Sequence, residues 1–218
     1  MVESRGWDWE NANQSPWLKP CEDGTFLAYK WSNMGSQKVL DLGTGLGRHA
    51  ILFAQQGLEV SALDISEYGI NHLKGWAENE GLNIDAVVGD MLALPYDDNS
   101  FDCVFIYHAI SHGDTTGVKK IISEIERVLR PGGELFTSMC SKDAFEFEKA
   151  GFPKLDENTV VNTDEGPEKG VPHFFANVDD ILELFSNFDI ERIKHTDYCY
   201  MNSKKLDCKY YYISGRKK

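Results

Sequence analysis

Short apolar runs and longer segments of helical periodicity alternate along most of the chain. Residues 39–42, 58–63, 84–88, 103–107 and 134–139 are runs of four to six residues rich in Val, Ile, Leu and Phe, the length and composition of buried strands. Between them, residues 49–56, 67–80 and 117–129 carry apolar positions three and four apart; in the last, Val118, Ile121, Ile122, Ile125 and Val128 form one stripe. The boundaries agree with the periods. Gly57 and Gly81 stop the first two helices, Ser66 caps the second, and Arg130-Pro131-Gly132-Gly133 ends the third. Further on, residues 178–185 predict a helix, and residues 190–196 and 210–214 two last strands. The intervening residues 140–177, charged and interrupted by three glycines and three prolines, predict a long loop or insertion of the kind in which substrate specificity is built.

The first strand runs into Asp41-Leu42-Gly43-Thr44-Gly45-Leu46-Gly47-Arg48, and the next helix follows directly. Three glycines at every second position let the main chain take angles a Cβ forbids and let a ligand come close to the backbone. A loop that opens a helix commonly binds phosphate, yet Asp41 closes the strand, and a carboxylate there repels a pyrophosphate. It would instead hold an ammonium or ribose hydroxyls, so the ligand should carry a cation. The dinucleotide fingerprint G-x-G-x-x-G fails as well: its sixth place, counted from Gly43, is Arg48. A second acid, Asp64, ends the second strand, where it is placed to accept the ribose hydroxyls of a nucleoside.

Composition narrows the class. At 218 residues the chain is long enough for one sizeable core and contains no repeat or Pro/Ser-rich linker, so a single domain is expected. Thirty-five acids against 22 bases give a formal charge of −13, which disfavours nucleic acid and anionic membrane as partners. The basic pairs and triplets, Lys204-Lys205 and Arg216-Lys217-Lys218, are expected to be solvated surface charge. No apolar run approaches the ~20 residues of a membrane span, and residues 1–8 lack a signal-peptide core, so a cytoplasmic protein is expected. The five cysteines, Cys21, Cys103, Cys140, Cys199 and Cys208, form no Cys-x-x-Cys pair and are odd in number, which argues for reduced thiols; Cys103 and Cys140 are expected as small buried hydrophobes in strands.

With those residues in view, the chain resembles the class I S-adenosylmethionine-dependent methyltransferases. The first motif is Asp41-x-Gly43-x-Gly45-x-Gly47; Gly89-Asp90 follows the third strand; Leu94-Pro95-Tyr96 with Ser100-Phe101-Asp102-x-Val104 leads into the fourth; and Glu124-x-x-Arg127-Val128-Leu129-Arg130-Pro131-Gly132-Gly133-x-Leu135 leads into the fifth. The likeness is close over residues 39–139 and rests on element order elsewhere. It implies a Rossmann-like, doubly wound, seven-stranded sheet, mostly parallel with an antiparallel C-terminal hairpin at its edge and helices on both faces. It divides the chain into an aromatic-rich cap or lid (1–36), a cofactor-binding core (37–139), a substrate-side insertion (140–177) and a C-terminal helix with edge strands (178–218).

The resemblance also implies S-adenosylmethionine as cofactor, S-adenosylhomocysteine as product, and a small-molecule methyl acceptor in a monomer or homodimer. Asp41, Gly43, Gly45, Gly47, Asp64, Ile65, Asp90, Met91 and Tyr107 are then the cofactor-binding residues, with Asp90 near the adenine amino group. The acceptor should approach the end of the fourth strand, at Tyr107-His108-Ala109-Ile110-Ser111-His112-Gly113-Asp114. His108 and His112 could deprotonate or orient a nucleophile near neutral pH. They could equally bind a metal, but no Cys or third His follows at ligand spacing, and none is expected. His173 is a weaker pocket candidate, His49 a helix-start residue, and Arg48 a partner for a nearby acid. The aromatic residues of the N-terminal segment, Trp7, Trp9, Trp17, Phe26, Tyr29 and Trp31, either pack as short helices on the sheet or close over a cationic ligand. A nicotinamide-dependent oxidoreductase and a non-catalytic cofactor-binding module are the alternatives.

Overall fold

A computed structural model describes residues 6–10, 12, 14–35, 38–166, 168–198 and 208–218. Cys199, Lys204, Lys205 and residues 1–5 lie outside the described residues. Nine strands are described: β1 (Lys38–Leu42), β2 (Glu59–Asp64), β3 (Ile84–Val88), β4 (Phe101–Ile106), β5 (Leu129–Ser141), β6 (Thr159–Val161), β7 (Pro172–Ala176), β8 (Phe188–Tyr198) and β9 (Cys208–Lys217). Six α-helices accompany them: α1 (Glu22–Asn33), α2 (Arg48–Gln55), α3 (Glu67–Glu80), α4 (Thr115–Val128), α5 (Phe145–Glu148) and α6 (Val178–Leu184). The strands run in the order β3-β2-β1-β4-β5, parallel throughout, and β9 then β8 extend the sheet antiparallel beyond β5. That is the expected doubly wound frame with its C-terminal hairpin.

The strand count exceeds the expected seven. β4 pairs with β5 only as far as Thr137; beyond that point β7 takes its place, pairing Cys140 and Ser141 with Phe175 and Ala176, and β6 pairs antiparallel to β7. The stretch expected as a loop therefore contributes two short strands, which continue the sheet past the end of β4.

Side chains alternate across the strands as a period of two requires. Leu40, Leu42, Val104, Ile106, Tyr211 and Ile213 face one core with α4 and α6, while Val39, Cys103, Phe105 and Tyr212 face the other with α1, α2 and α3. Helix ends follow the sequence signals: Ser66 Oγ accepts the Gly69 N–H at the start of α3, Gly81 closes it in the left-handed region, and Asp114 caps α4 by accepting from the Gly117 N–H at 2.8 Å. The Arg-Pro-Gly-Gly turn lies within the long β5, where it shifts the register against β4 between Phe101 and Cys103.

One buried ionic cluster ties the first helix to the last strand. Glu134, on β5, accepts from Lys30 Nζ at 2.8 Å and from the Trp31 indole N–H at 2.7 Å, and it pairs with Arg216 on β9. Burial pushes the Glu134 carboxyl upward, but the hydrogen bonds from Lys30 and Trp31 and the charges of Lys30 and Arg216 outweigh it and hold the group below its ordinary range. The basic C-terminus is thus structural where solvated charge was expected. Lys217 donates to the Leu129 carbonyl at 2.7 Å and Lys218 to the Ser186 carbonyl. Removing the acid in Glu134→Ala strands a lysine and an indole N–H, and should cost about 2–4 kcal/mol of unfolding free energy in a urea titration. A midpoint equal to that of the parent protein would show that α1 is held by its apolar contacts alone.

Candidate active site

The glycine loop leaves β1 with Gly43, Gly45 and Gly47 all at positive φ, 70°, 58° and 94°. Its backbone is pinned from two directions. The N–H groups of Gly43 and Thr44 both donate to the Leu63 carbonyl, at 2.8 and 3.1 Å, and the Gly45 N–H donates to Asp64 Oδ2 at 2.8 Å. Asp64 Oδ1 accepts the Ser66 N–H, so one carboxylate joins the loop to the entry of α3. Asp41 is buried below the loop and accepts from the Thr44 hydroxyl at 2.6 Å. Burial pushes its carboxyl up to about 7, with the Thr44 hydrogen bond and the Arg48 charge opposing, and burial raises Asp64 as well.

The aromatic N-terminal segment divides between the sheet, where the packing reading expected it, and the glycine loop. Trp31 is fully buried with Leu27 and Ala28 against the sheet. Trp7, Trp9 and Trp17 instead form a cluster of edge-on indoles, with ring centroids 4.6 to 5.9 Å apart, over the glycine loop. Trp9 lies so close to Gly45 that a Cβ there would stand 2.6 Å from its ring. The Trp7 indole N–H is buried and has no hydrogen-bond acceptor among the described residues. Arg48, expected to pair with an acid, donates to the carbonyls of Pro16 and Lys19 at 3.2 Å, and its guanidinium lies over the rings of Trp17 and Tyr107. His49 is a helix-start residue as expected, and its Nε2 accepts the Cys21 N–H at 3.2 Å.

Below this cap a single chamber runs from the glycine loop to the far end of β4. Asp41, Gly43, Gly45, Asp64 and Ile65 line it at one end, and Asp90, Met91 and Tyr107 along its side. Gly47 does not line it: this residue starts α2, and its missing Cβ makes room for Leu73 of α3. Asp90 Oδ1 accepts the Leu92 N–H at 2.9 Å, which orients the turn that follows β3.

The other end of the chamber is lined by His108, His112, Cys140, Glu168, His173 and Tyr210. His108 is left-handed at φ 56°, a conformation costly for a residue with a side chain. It is held there by its N–H, which donates to Ser138 Oγ at 2.7 Å, and by its ring, stacked between Tyr107 and Tyr210 at 4.2 Å from each. His108 Nε2 lies 3.2 Å from the Tyr212 hydroxyl. Burial, with the charge of Arg48, lowers His108 to about 3, and burial with His173 lowers His112, so both imidazoles are neutral at pH 7.

His112 meets His173 edge to face at 4.9 Å, and His173 Nε2 lies 3.6 Å from Glu168 Oε2. Cys140, expected as core packing, borders the chamber at the end of β5; burial pushes its thiol up to about 12. Cys103 is a buried core residue as expected.

Residues 39–133 match the family model described as a methyltransferase domain. The core of this chain belongs to that methyltransferase family. A sterol 24-C-methyltransferase of Gibberella zeae is 38% identical over 203 residues, covering 73% of this chain and 52% of that protein. The chain thus spans about half the length of that relative, and less of the other sterol 24-C-methyltransferases it matches. Among solved structures, a protein of Pyrococcus horikoshii superposes with a TM-score of 0.72 at 22% identity, covering 97% of this chain and 95% of that one. A 1,6-didemethyltoxoflavin-N1-methyltransferase of Burkholderia thailandensis, bound to its substrate and S-adenosylhomocysteine, superposes at 0.63 with 18% identity over 90% and 77%.

Of the residues lining this chamber the sequence located the glycine loop and both acids, but Glu168, Tyr210 and the chamber position of Cys140 escaped it. Each comes from the insertion or from strand ends, where neither spacing nor periodicity marks a pocket. The cap supplies a test. Gly45→Ala requires a left-handed alanine, costing roughly 1–2 kcal/mol, and pushes Trp9 off the loop. The tryptophan emission should shift to the red without loss of the far-ultraviolet helix signal. An unchanged emission maximum would show that Trp9 does not rest on Gly45.

Proposed function

We propose that this chain transfers the methyl group of S-adenosylmethionine to a small-molecule acceptor, releasing S-adenosylhomocysteine. What carries the proposal is the continuity of the chamber. One end offers a glycine cradle, two buried carboxylates and an indole N–H with no acceptor among the described residues; the other offers three imidazoles, a thiol and a phenol. A cationic nucleoside fits the first end and a nucleophile the second. Bound there, the cofactor presents a sulfonium methyl whose displacement in line needs alignment more than acid–base help.

The residues divide that work. Asp41 takes the ammonium group, Asp64 the ribose hydroxyls through its remaining lone pairs, and Asp90 the adenine side, while the indoles of Trp7, Trp9 and Trp17 exclude water from the glycine loop. Tyr107, stacked on His108, separates the two ends of the chamber. His108 and His112, kept neutral by burial, orient the acceptor by hydrogen bonding; groups titrating so low are poor stores for a proton at pH 7. Residues 140–177 then act as the acceptor-side insertion of a single methyltransferase domain, since Glu168 and His173 reach the chamber from it. Among the described residues no helix is long and apolar enough to cross a membrane, and the cytoplasmic reading rests on the sequence.

Calorimetric titration should give binding of S-adenosylmethionine and S-adenosylhomocysteine and none of the nicotinamide dinucleotides; binding of the dinucleotides alone would establish the oxidoreductase alternative. The affinity for S-adenosylmethionine should also depend on pH. Asp41 is protonated below about pH 7 and must lose that proton to hold an ammonium, so affinity rises up to about tenfold per unit as pH approaches 7 and levels off above it. Asp41→Asn should bind more weakly with a flat profile. A flat profile in the parent protein would assign Asp41 to a neutral partner. Product formation with a panel of hydroxyl, thiol and amine acceptors distinguishes an enzyme from a binding module, and loss of that activity in His108→Ala with cofactor affinity intact would place His108 on the acceptor.

A further inference from the structure

Three Lewis bases converge at the acceptor end of the chamber. One ligand atom each from His112, Glu168 and His173 lie within 4.8 Å of one another. They come from separate segments: the loop after β4, the insertion and the start of β7. Two backbone hydrogen bonds lock these segments together. The Phe174 N–H donates to the Ser111 carbonyl at 2.8 Å, fixing β7 against the His112 loop, and the Val171 N–H donates to the Glu168 carbonyl at 3.0 Å, fixing Glu168 beside His173.

The tautomer of His173 is set by its neighbour. Its Nδ1 lies 3.1 Å from the Val171 carbonyl, a group that can only accept, so Nδ1 carries a proton, and in the neutral ring the lone pair belongs to Nε2, 3.6 Å from Glu168 Oε2. An imidazole nitrogen facing a carboxylate, with a second imidazole beside both, is an arrangement that asks for a cation. It is also the outer-shell pattern of metal-binding histidines, whose second nitrogen donates to a carbonyl or carboxylate.

We propose that His112, Glu168 and His173 bind one divalent transition-metal ion of the zinc class. Two imidazoles and one carboxylate suit a borderline ion better than calcium or magnesium, which favour all-oxygen shells. Bonds of about 2.0–2.2 Å would draw the donors inward by roughly an ångström at the widest edge, a shift that rotation of the half-buried Glu168 can supply. Three protein ligands leave at least one position open, as in sites that bind substrate and unlike closed structural ones. Because all three residues line the chamber, that position is available to a donor atom of a small-molecule acceptor. The role in acceptor binding rests on the function proposed above; the metal site itself does not.

The full-length protein, stripped with a chelator and dialysed against Zn²⁺ or Co²⁺, provides the test. Elemental analysis should return one equivalent of ion, and the Co²⁺ form should show visible ligand-field bands without a thiolate-to-cobalt charge-transfer band. His112→Gln, Glu168→Gln and His173→Gln should each weaken binding at least tenfold while leaving affinity for S-adenosylmethionine as in the parent, whereas His72→Gln, remote on α3, should retain one equivalent. No bound ion in the parent protein, a thiolate band pointing to Cys140 or Cys208, or full occupancy in the three variants would overturn the proposal. If a variant fails to fold, the cobalt spectrum of the parent protein decides alone. Loss of S-adenosylmethionine binding in the parent, with the ion still bound, would overturn the methyltransferase proposal and leave the metal site standing.

Discussion

Three left-handed residues in five is a backbone demand that few sequences can meet, and the site is built on it. With a Cβ at Gly43, Gly45 or Gly47 the chain would be strained by its own φ and would also meet Ala109, Trp9 or Leu73 at 2.4 to 2.6 Å. The loop is therefore constrained from outside as well as within: β4's following loop, the indole cap and α3 each press on one of the three glycines. The carboxylates of Asp41 and Asp64 complete the frame by accepting from Thr44 and Gly45. Both acids consequently carry two burdens. They hold the loop in shape and, in the function proposed, face the ligand, so a substitution at either position changes preorganisation and affinity together. The elevated pKa of Asp41 follows from the same arrangement, because desolvation of the enclosed carboxyl outweighs the hydrogen bonds from Thr44 and the Ala50 backbone and the charge of Arg48.

The helix and strand pattern between residues 39 and 139 was legible because strong local signals agree with the global fold there. Ser66 and Gly81 bracket α3 at the residues expected, and the alternation of Val39 with Leu40 assigns each to the proper side of the sheet. Between Ser141 and α6 that agreement lapses, to return with α6, β8 and β9. β6 has three residues and β7 five, one of them Pro172 at the first position, so neither gives a period long enough to recognise. Their strand character comes from the edge that β5 leaves exposed past the end of β4, a tertiary cause invisible to local propensity. The same reason hid the meeting of His173, itself a pocket candidate in the sequence, with His112. The two are far apart along the chain, and the pairing of β7 with β5 brings them together.

The N-terminal tryptophans show how one composition can serve two physical roles. Trp31 belongs to a helix whose buried face, Leu27, Ala28 and Trp31, repeats at helical spacing and is anchored by Glu134. Trp7, Trp9 and Trp17 belong to no regular helix beyond the short 3₁₀ turn at Ser15–Leu18, and they pack on one another and on Arg48. A cluster held by edge-on ring contacts, one guanidinium and the Gln14 amide, which donates to the Trp9 carbonyl, is easier to open than a docked helix.

The two ends of the chamber are electrically different despite the large negative charge of the chain. At the glycine loop the buried acids Asp41 and Asp64 line the chamber together with Arg48, which lies over two aromatic faces and donates to two carbonyls; its charge partly offsets the burial of Asp41. At the far end Glu168 is the carboxylate among the three converging bases, beside the imidazoles of His112 and His173. A net negative corner with two available imidazole lone pairs attracts a proton or a metal ion. A proton would satisfy one base and leave the others competing for it, while a divalent ion satisfies all three at once and places its remaining valence in the chamber. That difference in stoichiometry is why the arrangement favours an ion, and why the strained His108, held between two tyrosines at the junction of the two ends, is positioned to meet whatever the ion would hold.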